Sequence, residues 1–242
     1  MNYVEKIKLD NGVFFGKGLF ETILIKERPI FLKEHIKRIN HSCKVLGIES
    51  NIDYKQVLNF IEKNNIKNKA FKITLTDENI IYSIRDIPYT EDNYKRGFSL
   101  YLSKVLRNST SKLTFVKSTC YIENIIEKKL AKDLGYDEVI FLNERGYLTE
   151  GATSNIFFIK DDKILTPKVE VGLLNGIIRQ WIIHNFHVEE GEYTLEDLVS
   201  SQGIFVTNSL LGIMKVCKFQ GKKFNNHDKI EEIINSYKKS IN

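Results

Sequence analysis

The sequence of 242 residues predicts an α+β fold built from two domains. Apolar residues between positions 32 and 46 recur at alternating spacings of four and three, as on one face of a helix. Short runs rich in β-branched and aromatic residues, such as 71–76 and 98–103, predict strands. Helices and strands do not alternate regularly, which argues against a doubly wound parallel sheet. We expect an N-terminal domain over residues 1–105, a polar linker over 106–112 and a C-terminal domain over 113–242.

The N-terminal domain is expected to begin with a strand at 20–25 and a turn at 27–29. A helix then starts near Leu32 and ends at Gly47, because glycine readily adopts the left-handed conformation that terminates helices. A second helix begins at Tyr54, with Asp53 as its N-cap. Three strands complete the domain, at 71–76, 80–84 and 98–103.

The C-terminal domain is expected to open with a helix from about Ser118 to Leu134. Thr194 and Asp197 resemble a short capping box. The other expected elements are strands at 138–142, 155–159 and 164–166, a helix that begins at Gly176, strands at 204–207 and 213–216, and a last helix capped by Asp228.

Composition argues against several classes of protein. The chain carries 36 Lys or Arg and 31 Asp or Glu, but the two signs are interleaved, which indicates a solvated surface and no nucleic-acid partner. No stretch approaches the roughly 18 to 20 apolar residues of a membrane span, and residues 1–12 contain no apolar leader, so we expect a cytoplasmic protein. Three widely spaced cysteines and five histidines without a ligand spacing predict no metal site.

Three features of the second half could carry chemistry, although each also has an ordinary structural interpretation. Lys117 follows an aliphatic run, which could lower its pKa for Schiff-base chemistry, or it is one of many surface lysines. Glu150 lies between two strands, where a carboxylate could hold a proton on a heterocyclic nitrogen or simply occupy a loop. Gly176 opens a helix, and the free N–H groups of a helix start form an anion site, although every helix has such an end.

Together with further motifs, these features resemble the class IV aminotransferases, which are the fold-type IV pyridoxal-phosphate enzymes. The motifs occur in the family's order over nearly the whole chain, at 16–22, 32–39, 117–121, 135–143, 149–157, 166–167 and 176–179. The resemblance implies a two-domain architecture like that of D-amino acid aminotransferase, with pyridoxal 5'-phosphate between the domains. It also implies a homodimer with small-molecule substrates.

The resemblance implies roles for particular residues. Those around the cofactor ring are Lys117 as the Schiff-base lysine, Glu150 at the pyridine nitrogen, Tyr121 near the phenolic oxygen and Leu174 packed on the ring. Those around the phosphate are the guanidinium of Arg38, the backbone N–H groups of Ile177 and Ile178, and the hydroxyl of Ser209. A guanidinium and a helix start facing a dianion agree with simple electrostatics.

Three positions depart from the family's pattern. The usual Gly-Asp-Gly is Gly16-Lys17-Gly18, and Ile178 replaces a threonine whose hydroxyl contacts the phosphate in many transaminases. Residues 77–85 replace a Gly- and Arg-rich stretch that helps to form the substrate pocket. Substrate identity is therefore the part of the function that the resemblance defines least.

The compact length and the sequences at 175–180 and 207–213 resemble aminodeoxychorismate lyases. The implied reaction converts 4-amino-4-deoxychorismate to 4-aminobenzoate and pyruvate, on the route to folate. The alternatives are a branched-chain or D-amino acid aminotransferase and a non-catalytic protein that binds pyridoxal phosphate, which the intact Lys117 and Glu150 disfavour. Arg107, in the predicted linker, is the candidate for binding a substrate carboxylate, or else an exposed linker charge.

Overall fold

The computed structural model describes residues 2–3 and 6–242, and it confirms a fold of mixed helices and strands. The chain divides into two compact units. The first contains Met1–Pro88 and Val116–Tyr121, and the second contains Tyr89–Phe115 and Ile122–Asn242. No helix in the described ranges is long and apolar enough to cross a membrane.

The first unit contains an antiparallel sheet with two helices packed on one face. Its described elements are β1 (Asn2–Tyr3), α1 (Asn11–Phe15), β2 (Gly18–Ile25), α2 (Leu32–Leu46), α3 (Tyr54–Lys63), β3 (Lys69–Thr76) and β4 (Ile80–Arg85), with strand order β1-β4-β3-β2. The core between sheet and helices includes Ile23, Ile39, Val57 and Phe71. Asp53 accepts a hydrogen bond from the Gln56 N–H at the start of α3, as an N-cap should.

The second unit is organised around a larger sheet. Its elements are α4 (Glu91–Arg96), β5 (Phe98–Arg107), α5 (Ile122–Asp133), β6 (Glu138–Asn143), β7 (Leu148–Gly151), β8 (Asn155–Lys160), β9 (Lys163–Pro167), α6 (Ile177–Asn185), β10 (Val188–Gly191), α7 (Leu195–Ser200), β11 (Gly203–Asn208), β12 (Gly212–Phe219), β13 (Lys222–Lys223) and α8 (Asp228–Ser240). The strand order is β10-β9-β8-β11-β12-β5-β6-β7, and β13 adds to β12. Because β7 also pairs with β8, the sheet closes on itself.

The contacts divide the chain differently from the boundaries predicted at 105 and 113. β5 extends to Arg107 and pairs with β6 and β12, so it belongs to the second unit. Residues 116–121 return to the first unit, where the Phe20 N–H donates to the Lys117 carbonyl at 2.9 Å. The polar composition of residues 106–112 predicted a linker. Leu106 and Arg107 instead belong to β5, because they pair with β6.

Two predicted helix starts are wrong. α5 begins at Ile122 instead of Ser118, because Lys117–Thr119 is extended: the Thr119 N–H donates to the Gly18 carbonyl at 2.9 Å. α8 has His227 as its N-cap, with the Lys229 N–H donating to Nδ1 at 3.3 Å, and Asp228 is its first helical residue. The capping box of Thr194 and Asp197 is present.

Candidate active site

Lys117 is held in the first unit beside an aromatic pair. Its segment pairs with β2, which places Nζ 4.4 Å from the centroid of the buried Phe20 ring. The Tyr121 ring is 5.5 Å from the same Nζ, and it meets Phe20 edge to face at 5.2 Å. The structure thus brings together two residues that the resemblance assigned to one site, and it places the Lys117 amine among apolar surfaces.

Arg38 lies in a buried ionic cluster of the first unit. Nε and Nη2 each donate to the Glu21 carboxylate at 2.7 Å, and Nδ1 of His35 is 2.6 Å from Oε2 of Glu21. Glu21 and His35 are each 1% exposed. A two-pronged contact of this kind fixes the plane and the direction of the guanidinium.

The members of this cluster shift one another's pKa values. Burial is the largest single influence on Glu21 and opposes its ionisation, but the charges and hydrogen bonds of Arg38 and His35 together outweigh burial and lower the pKa of the carboxyl to about 2. Burial lowers the pKa of His35, and since the ionised Glu21 carboxylate can only accept, Nδ1–H donates to it. Nε2 of His35 meets no hydrogen-bond partner among the residues that the structure describes.

Glu150 is oriented within the second unit by the backbone that follows β9. It lies near the end of β7 and is half-buried, and its Oε2 accepts the Leu174 N–H at 3.1 Å. Glu150 and Leu174, which the resemblance assigned to the cofactor ring, are therefore joined directly. The bond from the Leu174 N–H fixes the orientation of the carboxylate.

Asn155 connects the Glu150 region to the start of α6. It faces Glu150 across a β-bridge, and its Nδ2 donates to the Leu174 carbonyl at 2.8 Å. Its Oδ1 lies so near Gly176 that a Cβ added there would collide with it, which only glycine avoids. Asn155 thereby fixes the backbone that leads into Ile177 and Ile178.

The start of α6 is built as an uncapped helix end. Gly176 is its N-cap and supplies no side chain, so the first N–H groups, including those of Ile177 and Ile178, face outward from the helix. Arg179, 2% exposed, braces this turn by donating to Oδ1 of Asn175 and to the Pro167 carbonyl, both at 3.0 Å.

Ser209 occupies the turn between β11 and β12. Oδ1 of Asn208 accepts the N–H groups of Leu210 and Leu211 at 2.9 Å, which fixes the turn and leaves Ser209 half-buried at its tip. The preceding Thr207 is 1% exposed, and its hydroxyl has no hydrogen-bond partner in the described part of the chain. α6 contacts β11, the strand that leads into this turn.

A fully buried carboxylate supports the loop between β7 and β8. Glu138 accepts Nζ of Lys128 at 2.7 Å and the Thr153 hydroxyl at 2.5 Å. Ser154 adds a longer bond of 3.3 Å. This cluster anchors the loop that separates Glu150 from Asn155.

Arg107 is buried, so it is not an exposed linker charge, which was one of the two interpretations that the sequence allowed. It is the last residue of β5, 9% exposed, with its guanidinium 3.8 Å from the Phe141 ring centroid. Nη1 donates to Glu123 at 2.8 Å, whereas Nε and Nη2 are buried without a hydrogen-bond partner in residues 6–242. Two unsatisfied donors on a buried cation are suited to an anion.

Sequence reasoning missed the supporting residues Glu21, His35, Phe20 and Asn155, although all four lie inside the motifs it identified. The signal for His35 and Arg38 was their spacing of three on a helix, which places both on the face toward β2. Lys17, the departure from Gly-Asp-Gly, bonds to Asp77 at 2.9 Å and to the Gly47 carbonyl at 3.0 Å, so it ties two turns together.

Comparisons with known proteins agree on a family. Residues 18–219 match the family model of amino-transferase class IV. The chain is 31% identical to aminodeoxychorismate lyase of Bacillus subtilis (strain 168), over 87% of this chain and 80% of that one. It is 26% identical to D-alanine aminotransferase of Staphylococcus epidermidis (strain ATCC 12228 / FDA PCI 1200), over 88% and 83%. The fold matches that of a hypothetical aminotransferase from Mycobacterium tuberculosis in its PLP-bound form, with a TM-score of 0.85, 18% identity and coverage of 98% and 95%.

Proposed function

The chain belongs to the class IV aminotransferase family of pyridoxal-phosphate-dependent enzymes, and we propose that it is the member that converts 4-amino-4-deoxychorismate to 4-aminobenzoate and pyruvate. The observation that carries this proposal is the 31% identity to an aminodeoxychorismate lyase over 87% of the chain. The motif variants at 175–180 and 207–213 support it. A role in folate biosynthesis and a cytoplasmic location follow from the sequence prediction and belong to the same proposal.

The residues present fit pyridoxal phosphate. The uncapped start of α6, held in place by the contact of Asn155 with Gly176, offers free backbone N–H groups, as a phosphate site needs. We propose that the N–H groups of Ile177 and Ile178, the Ser209 hydroxyl and the Arg38 guanidinium hold the phosphate. Leu174 would pack on the ring and Tyr121 would contact its phenolic oxygen. That the cofactor lies between the two domains stays a prediction of the resemblance.

The reactive roles fall to two residues. Bound pyridoxal phosphate supplies an electron-accepting ring that stabilises negative charge next to the substrate nitrogen. Lys117 accepts the proton from the amine-bearing carbon of the substrate, since its half-buried amine is a nitrogen base beside the Phe20 and Tyr121 rings of the proposed site. Glu150, oriented by the Leu174 N–H, keeps a proton on the pyridine nitrogen.

The substrate chemistry then requires one elimination. The enolpyruvyl group departs with the electron pair of its ring C–O bond, and protonation of the departing enol carbon gives pyruvate. The ring that loses this group and the proton becomes aromatic, which makes the elimination strongly downhill. No oxidant and no second amino compound is needed.

The second candidate is an amino-acid transaminase, which the 26% identity to a D-alanine aminotransferase favours. The same Lys117 would then transfer the proton onward and a 2-oxo acid would leave. Ile178 weighs against this candidate, because an isoleucine side chain cannot supply the hydroxyl that many transaminases place there.

Two incubations separate the candidates. With 4-amino-4-deoxychorismate, the lyase releases 4-aminobenzoate and pyruvate in equal amounts, as read by chromatography. With amino-donor and 2-oxo-acid pairs, a transaminase forms a new amino acid. New amino acid without aminobenzoate would contradict the lyase, and neither product would favour a non-catalytic protein.

We also propose that two copies of the chain associate through α5. This helix is reversed relative to an ordinary amphipathic helix: Asn124, Glu127 and Ala131 are buried, whereas its large apolar residues are exposed. The exposed ones are Ile122 at 67%, Ile125 at 57%, Ile126 at 56% and Leu130 at 40%. An apolar stripe of this kind is typical of a contact surface.

Light scattering on a size-exclusion column tests the dimer. The mass measured for the unmodified protein should be twice that of one chain. Ile126→Glu should lower the measured mass toward that of one chain. Lys132→Ala, an exposed change on the same helix, should leave the mass unchanged. A single-chain mass for the unmodified protein would contradict the proposal.

A further inference from the structure

His35 is a buried polar residue whose presence packing alone does not explain. It is 1% exposed and lies in α2 among the apolar residues Leu32, Ile36 and Ile39, which belong to the core of the first unit. An aliphatic side chain could fill this position without the cost of taking an imidazole out of water. Nε2 meets no hydrogen-bond partner in the part of the chain that the structure describes, so burial of that nitrogen is not compensated there. The reason for an imidazole must therefore lie at Nδ1.

Nδ1 connects His35 to the carboxylate that holds Arg38. Nδ1–H donates to Oε2 of Glu21 at 2.6 Å, and Nη2 of Arg38 donates to the same oxygen at 2.7 Å. Nε of Arg38 donates to Oε1, also at 2.7 Å. His35 and Arg38 both lie on α2, whereas Glu21 lies on β2, so the three side chains fix the helix and the strand to each other.

The direction of the Arg38 guanidinium depends on this carboxylate. An arginine side chain has many rotamers, and holding one of them costs conformational entropy. The side chain of Arg38 is 13% exposed and that of Glu21 is 1% exposed, so the arginine is anchored at a buried group and still reaches the surface. Because two parallel bonds join the two groups, a carboxylate that turned would carry the guanidinium with it. The bond from Nδ1–H of His35 opposes such a turn.

We propose that His35 is a positioning residue for the cofactor phosphate: acting through Glu21, its Nδ1–H holds the Arg38 guanidinium in the direction that binds the phosphate. The inference rests on the proposed function, in which Arg38 contacts the phosphate. It adds a residue that acts through two others, and it assigns the effect to one ring nitrogen.

Three substitutions of His35 test the inference and distinguish the two ring nitrogens. The side-chain amide of asparagine can place an N–H where Nδ1–H lies, whereas the longer glutamine places its amide near the position of Nε2. Equilibrium dialysis gives the affinity for pyridoxal phosphate and for pyridoxal, which lacks the phosphate. His35→Leu and His35→Gln should weaken binding of pyridoxal phosphate by about 5- to 20-fold, a part of what a hydrogen bond to a charged group contributes, and should leave binding of pyridoxal almost unchanged. His35→Asn should keep most of the affinity for both.

Two controls accompany these variants. His41→Gln changes an exposed histidine of the same helix and should bind both molecules as the unmodified protein does. In the Arg38→Ala background, His35→Leu should weaken binding of pyridoxal phosphate no further, because the guanidinium that it positions is gone.

Several results would overturn the inference. Normal binding of pyridoxal phosphate by His35→Leu and His35→Gln is one, and an equal loss of pyridoxal phosphate and pyridoxal, which a merely structural role would cause, is another. A loss in His35→Asn as large as that in His35→Gln would also overturn it. Failure of the proposed phosphate site is a separate result: Arg38→Ala would then keep the full preference for pyridoxal phosphate over pyridoxal, whereas a failure confined to the His35 variants leaves Arg38 at the phosphate.

Discussion

Replacing Arg38 by alanine should have two effects that the structure allows us to separate. The first is on stability, because the change removes both guanidinium bonds to Glu21 and leaves a carboxylate that is 1% exposed beside His35 alone. A Glu21 pKa of about 2, against an ordinary value of 4.5, corresponds to roughly 3 kcal/mol of stabilisation at neutral pH. This agrees with the 3–5 kcal/mol typical of breaking a buried ion pair.

The second effect is on the cofactor. A lost charge-assisted contact to the phosphate should weaken retention of pyridoxal phosphate by about 2–3 kcal/mol, or roughly 30- to 150-fold. Pyridoxal, which lacks the phosphate, should bind almost as before. Lys37→Ala, an exposed change at the next position, should alter neither stability nor retention.

The double variant Glu21→Gln/Arg38→Ala separates the two effects. It removes the stranded carboxylate, so hydrogen exchange of β2 and α2 peptides should recover most of the lost protection. Retention of pyridoxal phosphate, measured by equilibrium dialysis, should stay weak. If the double variant regains stability and also binds the cofactor as tightly as the unmodified protein, Arg38 is a structural partner of Glu21 and does not hold the phosphate.

Three further predictions concern other residues. The folded state lowers the pKa of Glu21 to about 2, so the contribution of this carboxylate to stability is complete above pH 4.5 and is lost as the pH falls toward 2. The unmodified protein and Glu21→Gln should therefore differ in melting temperature above pH 4.5, and this difference should disappear as the pH falls toward 2. Arg107→Gln should lower kcat/KM for a substrate with two carboxylates by an amount equivalent to about 1.5–3 kcal/mol and leave cofactor binding unchanged. The control Lys112→Gln changes an exposed residue and should keep normal kinetics. Equal kinetics for the two variants would remove Arg107 from the site. Glu150→Gln should keep the cofactor but lower kcat by about 100-fold, and steady-state rates close to normal would show that no proton needs to be held there.

Much of the fold was predictable because its signals are local. α2 shows its apolar spacing and its terminating Gly47, and α3 shows its cap, within the segment that each occupies. The errors occurred where distant residues decide the conformation. The extended backbone at 117–119 depends on pairing with β2, about a hundred residues earlier in the chain, and local helix propensity contains no trace of that partner.

The candidate site divides in the same way. Lys117, Glu150 and the start of α6 belong to motifs whose spacing can be read in the sequence. Glu21 could not be identified as the partner of Arg38, because that contact joins a strand to a helix across the core.

The most direct test of the account is to locate the lysine that bonds to the cofactor. Borohydride reduction of protein loaded with pyridoxal phosphate fixes the cofactor on that amine, and peptide mass spectrometry then identifies the residue. The account predicts the label on Lys117 in the unmodified protein and its loss in Lys117→Ala. A label on Lys72, the other amine beside Phe20, or on no single lysine would contradict it.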